Sequence, residues 1–95
     1  MSVETFTRTV TVTNPHGLHA RPTNVIVKTV RKYDAQVAIQ NGSQIADATS
    51  IFDLMSLGAG QGTELVLSAK GRQAQEVIEA LTQQFDAEFE IDYKD

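Results

Sequence analysis

A chain of 95 residues is long enough for one hydrophobic core and too short for two of independent stability, so residues 1–95 are read as one domain. Its 41% hydrophobic and 21% charged content excludes a disordered chain, and the absence of cysteine excludes disulfides, thiolate metal sites and cysteine nucleophiles. A net charge of −4 argues against a nucleic-acid-binding surface, and no apolar run reaches the roughly 18 residues needed to cross a bilayer.

The opening MSVETFTRTV lacks a basic flank followed by an apolar run, so the expected location is the cytoplasm, without direct membrane insertion. Charge placement says more than the sum. Arg21, Lys28, Arg31 and Lys32 fall between His19 and Tyr33 with no acid among them, whereas Glu76 to Asp95 is dominated by Glu and Asp. The expected molecule is a dipole, a basic patch on an acidic body.

From Thr5 to Thr13 threonines alternate with Phe6, Arg8, Val10 and Val12. That is a strand with one wet face, in a sheet covered on one side only, as antiparallel sheets allow. After the loop Asn14-Pro15-His16-Gly17, the segment His19 to about Lys32 is ambiguous by propensity, because Val25, Ile26, Val27, Thr29 and Val30 are β-branched. Helix is preferred: Pro22 is tolerated in a first turn, the segment is too long for one strand, and Arg21, Lys28 and Lys32 share a helical face.

Two short strands follow, Gln36–Gln40 and Ser43–Ala46, joined by the Asn41-Gly42 turn signal, with Val37, Ile39 and Ile45 expected in the core. Ser50 opens a short helix to Leu57 with Asp53 three residues on, a relative of the capping box, and Gly58 stops it. After the loop Gly58–Gly62, Glu64–Ala69 reads as a strand. Beyond Gly71 the stripe Ala74, Val77, Ile78, Leu81 and Phe85 marks a last helix. For about 87–95, where Phe89, Ile91 and Tyr93 alternate with acids, an acidic tail and an extra strand are both left open. The order β-α-β-β-α-β-α predicts an α+β fold, an open-faced antiparallel four-stranded sheet with three helices on one face.

Chemistry concentrates in Asn14 to Thr23, NPHGLHARPT. A neutral imidazole attacks phosphorus well, and with an unperturbed pKa near 6.5 the ring is mostly unprotonated at cell pH. A histidine at a helix start meets the free N–H groups of the first turn and the favourable end of the helix dipole. Arg21 adds a guanidinium for phosphate oxygens, Pro22 fixes the turn without consuming a useful N–H, and Gly17 lets the chain turn sharply.

GLHARP, together with SIFDLMSLG from Ser50 to Gly58 and the later QGTEL, resembles the HPr family, the histidine phosphocarriers of the bacterial phosphoenolpyruvate-dependent phosphotransferase system. The likeness extends over nearly the whole chain. It implies that His19 is phosphorylated on Nδ1 and that Arg21 steadies the phosphoryl group. It implies enzyme I as donor, sugar-specific or regulatory proteins as acceptors, and Ser50 as a site for an ATP-dependent HPr kinase. Ile51, Phe52 and Met55 match the apolar docking patch, and Ala20, Thr23, Lys28 and Arg31 join them as expected partner-facing residues. Leu54 and Leu57 are assigned to the core. Such a carrier is a monomeric phosphorelay component rather than a turnover enzyme, and needs no cofactor or metal.

The chain departs from the family pattern at Thr23, where alanine is usual, at Asp53 inside the docking patch, and at His16 just before the motif. His16 and His19 make a weak metal-ligand set without Cys or a nearby carboxylate, so His16 is read as a surface residue. Two other functions compete with the carrier. A purely regulatory module would use the Ser50 patch, yet would have no need for both His19 and Arg21. A hydrolase with His19 as nucleophile lacks a positioned base or room for a pocket.

Overall fold

A computed structural model describes residues 5–89. Seven elements follow one another: β1 Thr5–Thr11, α1 Ala20–Val30, β2 Gln36–Asn41, β3 Gln44–Asp47, α2 Ile51–Ser56, β4 Glu64–Lys70 and α3 Ala74–Asp86. The strands form one antiparallel sheet in the order β1-β4-β2-β3. The three helices cover one face and leave the threonine side of β1 open to solvent, as the alternation in Thr5–Thr13 predicts.

The ambiguous segment is a helix. Pro22, Thr23, Val25, Ile26, Val27, Thr29 and Val30 are buried, whereas Arg21, Asn24, Lys28 and Arg31 are exposed at helical spacing. Burial of so wide an apolar face outweighs the β-branched propensity, which costs only tenths of a kcal/mol per residue, roughly 0.5 at most. The helix closes sooner than expected. Arg31 is its C-cap, and Lys32 donates to the Thr29 carbonyl at 3.0 Å in a terminal turn, so Lys32 stands outside α1.

One expectation for the core is overturned. The β2–β3 hairpin turns at Gly42-Ser43, because Asn41 pairs with Gln44. Gly42 has φ of +62°, the left-handed geometry that favours glycine at a turn. Ile39 then faces Ala46 and Gln40 faces Ile45. Ala46 is buried in the core and Ile45 is 67% exposed on the open face. Across any two-residue turn an odd-numbered position faces an even-numbered one, so with Val37 and Ile39 inward the returning strand brings Ala46, and not Ile45, to the core.

Beneath the helices lie Ile26, Ile39, Leu54, Leu65, Leu67, Val77, Leu81 and Phe85, all fully buried. Phe89, left open between tail and strand by the sequence, is also fully buried. Glu88 and Phe89 both have positive φ, and Phe89 N–H donates to Gln84 O at 2.8 Å, so the chain folds back on α3. The Phe89 ring meets Phe85 edge-on at 4.8 Å between centroids. Ile91 and Tyr93 lie outside the described residues.

Candidate functional site

The site grows from the loop between β1 and α1. Asn14 is buried, its Nδ2 donates to Gly17 O at 2.6 Å, and its own carbonyl accepts from Gly17 N–H at 3.1 Å. Gly17 has φ of +67°, and a Cβ there would collide with the Ala59 carbonyl oxygen. Leu18 N–H donates to that same oxygen at 2.9 Å. A residue with a side chain at 17 would therefore separate the two loops, and glycine is required for both its dihedral and its lack of volume.

His19 is the N-cap of α1, in extended backbone geometry, with its N–H donating to Gly17 O at 3.0 Å and its carbonyl accepting from Thr23 N–H at 3.1 Å. Its ring makes no capping hydrogen bond and is half-exposed. Helix geometry aims the first-turn N–H groups toward this mouth, where they and the dipole favour an anion. Arg21 is exposed within that turn and Pro22 is buried beneath it. The His16 ring stands edge-to-face to His19, with centroids 5.9 Å apart and planes at 85°. Among the described residues no group of three or more His, Asp or Glu side chains could hold a metal ion.

Thr23 corrects an expectation. Read from sequence as partner-facing, it is fully buried, and its hydroxyl donates back to the carbonyls of His19 at 3.0 Å and Ala20 at 2.9 Å. A threonine inside a helix satisfies its hydroxyl on carbonyls one turn earlier when no solvent reaches it. It supports the turn that carries His19 and does not meet a partner. Ala20, Lys28 and Arg31 are exposed, as a docking face requires.

Ser50 is the N-cap of α2, its Oγ accepting from Asp53 N–H at 3.2 Å. The Asp53 carboxylate accepts from Asp47 N–H at 3.3 Å. The Asp47 carboxylate accepts both the N–H and the hydroxyl of Thr49, at 2.9 and 2.8 Å, which holds its carboxyl below the ordinary aspartate value. Two anionic side chains thus bracket Ser50. Along α2, Ile51, Phe52 and Met55 are 41%, 79% and 46% exposed, while Leu54 and Leu57 are buried, matching the division drawn from sequence. Helix α2 packs against α1, so the apolar patch neighbours the basic helix.

Sequence reasoning passed over two contributors, Asn14 and the Ala59–Gly60 backbone. The Asn-Pro dipeptide was a usable signal for the first, since Asn side chains bond backbone groups in turns. Nothing local could reveal the second, which depends on a contact between residues 17 and 59.

The chain matches the family model PTS-HPr, described as the PTS HPr component phosphorylation site, over residues 6–87. It is 36% identical over 81 residues to the phosphocarrier protein HPr of Vibrio cholerae, covering 85% of this chain and 95% of that one. Against the phosphocarrier protein NPr of Klebsiella oxytoca it is 33% identical over 89 residues, 93% and 99% of the two chains. The multiphosphoryl transfer protein of Haemophilus influenzae is 41% identical over 73 residues, which is 74% of this chain but only 15% of that larger protein. Among solved structures, HPr-C-His from Thermoanaerobacter tengcongensis superposes with a TM-score of 0.85 at 36% identity, covering 88% of this chain and 94% of that one. No helix among the described residues is long and apolar enough to cross a membrane. With one half-exposed histidine at a helix mouth, an open antiparallel sheet and this span of similarity, the chain belongs to the HPr family of phosphotransferase-system phosphocarriers.

Proposed function

We propose that His19 accepts a phosphoryl group from phosphorylated enzyme I and delivers it to acceptor proteins of a phosphotransferase system. The observation that carries this reading is the His19 ring itself, half-exposed at the start of α1 and unused by any capping bond. On acceptance the lone pair of a neutral His19 ring nitrogen, Nδ1 by likeness to the family, attacks phosphorus as the bond to the donor breaks. On delivery the acceptor's nucleophile attacks the same phosphorus and the bond to that nitrogen breaks. The other ring nitrogen keeps its proton. Arg21 and the first-turn amides meet the phosphoryl oxygens, and little else is required of the carrier.

Docking falls to the apolar face Ile51, Phe52 and Met55 beside Ala20, Lys28 and Arg31. A small apolar patch with a basic neighbour suits brief encounters steered by charge, in which release matters as much as affinity. The acceptors are sugar-specific or regulatory proteins of such a system. Phosphorylation of Ser50 by a kinase would add about −1.5 to −2 charge between Asp47 and Asp53, repelling an acidic donor and switching transfer off.

Incubation with enzyme I, phosphoenolpyruvate and magnesium tests the reading. Wild type acquires one acid-labile phosphate and His19→Ala acquires none; label persisting on His19→Ala would refute it. For the switch, Ser50→Asp slows acceptance from the donor by at least about tenfold, and an unchanged rate removes the regulatory role.

A further inference from the structure

We propose that His16 is a second phosphate-facing residue, whose ring takes up a proton when His19 is phosphorylated and holds the phosphoryl group as an imidazolium. The inference deepens the reading of His19 as acceptor and rests on it. The two rings stand edge-to-face at 5.9 Å between centroids, and on this proposal the phosphoryl oxygens carried by His19 lie on the side of its ring that meets His16. The ring is exposed, yet its loop is held on both sides. Asn14 bonds Gly17 twice, and Leu18 is tied to Ala59. The juxtaposition therefore belongs to a braced turn and not to a free segment.

Charge counting points the same way. Across residues 12–23 and the facing segment 58–63, the ionisable side chains are His16, His19 and Arg21, with no acid among them. Glu64 follows at the start of β4, exposed and paired with Thr11 at the sheet end. A phosphorylated side chain carries about −1.5 to −2 charge, of which the Arg21 guanidinium offsets one. An imidazole is the one side chain that can supply the remainder on demand near neutral pH, because an anion within about 4–6 Å favours its charged form. His16 is thus a positioning residue that couples phosphoryl acceptance to proton uptake. The sign follows. The interaction is present in full below the midpoint of the unphosphorylated ring, where His16 is cationic in both states, and fades as pH rises through the higher midpoint of the phosphorylated state.

Ring-nitrogen NMR titration of His16, in the free chain and in the chain loaded by enzyme I and phosphoenolpyruvate, reads the effect directly. The His16 midpoint moves up by about one pH unit on phosphorylation. In a competition for the same donor, the phosphorylated fraction of wild type relative to His16→Gln falls by several-fold between about pH 6 and about pH 8. His16→Lys, a permanent cation, holds its advantage over His16→Gln across that range, which a merely structural role would not produce. A stationary His16 midpoint with phosphate on His19, or identical pH profiles for wild type and His16→Gln, would overturn this inference alone. Absence of phosphate from His19 would overturn it together with the reading it rests on.

Discussion

The N–H of Leu18 donates to the Ala59 carbonyl oxygen at 2.9 Å, and this one bond fastens the residue before His19 to the loop that leads into β4. The bond exists only because Gly17 presents no Cβ to the same oxygen. Gly17→Ala must place an L side chain at positive φ and push two backbones apart. The expected cost is about 3 kcal/mol from left-handed strain and overpacking together. Denaturant unfolding measures it, and phosphoryl acceptance by the folded fraction falls as well, because His19 loses its anchor. A midpoint within error of wild type would show that the two loops separate freely.

Thr23 occupies a position where the family resemblance leads one to expect alanine, and its hydroxyl answers to the first turn of α1 rather than to solvent. Thr23→Val keeps the shape and leaves the His19 carbonyl its bond from the residue 23 amide. It is expected to lose about 1 kcal/mol of stability, the usual net worth of a hydrogen bond, with affinity for the phosphoryl donor unchanged. A weakened affinity at unchanged stability would return Thr23 to the docking surface.

These two residues show where sequence reading succeeds and where it stops. The wet threonine face and the buried stripe of α3 follow from periodicity, a local property of the chain, whereas it is the family resemblance that assigns Phe52 and Met55 to the exposed side of α2. Ile45 is misplaced because a two-residue turn pairs odd positions with even ones, so an inward Ile39 puts Ala46 inward and Ile45 on the open face. Burial of Phe89 is invisible for another reason. The alternation of Phe89, Ile91 and Tyr93 suggests a strand, whereas positive φ at Glu88 and Phe89 returns the chain to α3. Thr23 and Gly17 depend on tertiary contacts, so their residue types announce polarity and flexibility but not purpose.

On the proposed reading, helix α2 separates stability from recognition within one turn. Phe52→Ser removes a side chain that is 79% exposed, and surface changes of this kind stay within about 0.5 kcal/mol. Leu54→Ala empties a fully buried position and costs about 3 kcal/mol. Thermal unfolding distinguishes the pair. Binding tells the opposite story, with Phe52→Ser expected to raise the Kd for enzyme I by at least about tenfold, as loss of an aromatic anchor does, while the folded fraction of Leu54→Ala binds normally. Equal binding by Phe52→Ser and wild type would move the docking surface off α2.

Phe89 caps the lower end of the core from beyond the last helix, its ring edge-on to Phe85 and its amide bonded to Gln84. Gln84 in turn donates through Nε2 to the Thr29 hydroxyl at 2.7 Å, which links this end of α3 to α1. Phe89→Ala leaves a cavity against Phe85 and loosens that link, at an expected cost of about 3–4 kcal/mol. The link meets α1 at Thr29, near the opposite end of the helix from its N-cap His19, so phosphoryl acceptance per folded molecule is unchanged. Amide exchange discriminates the mechanism: protection falls first in the last turns of α3 and in the α1 segment around Thr29, whereas the β1–β4 ladder is released only on global unfolding. Uniform loss of protection would mean that Phe89 supports the fold as a whole and not the α1–α3 junction.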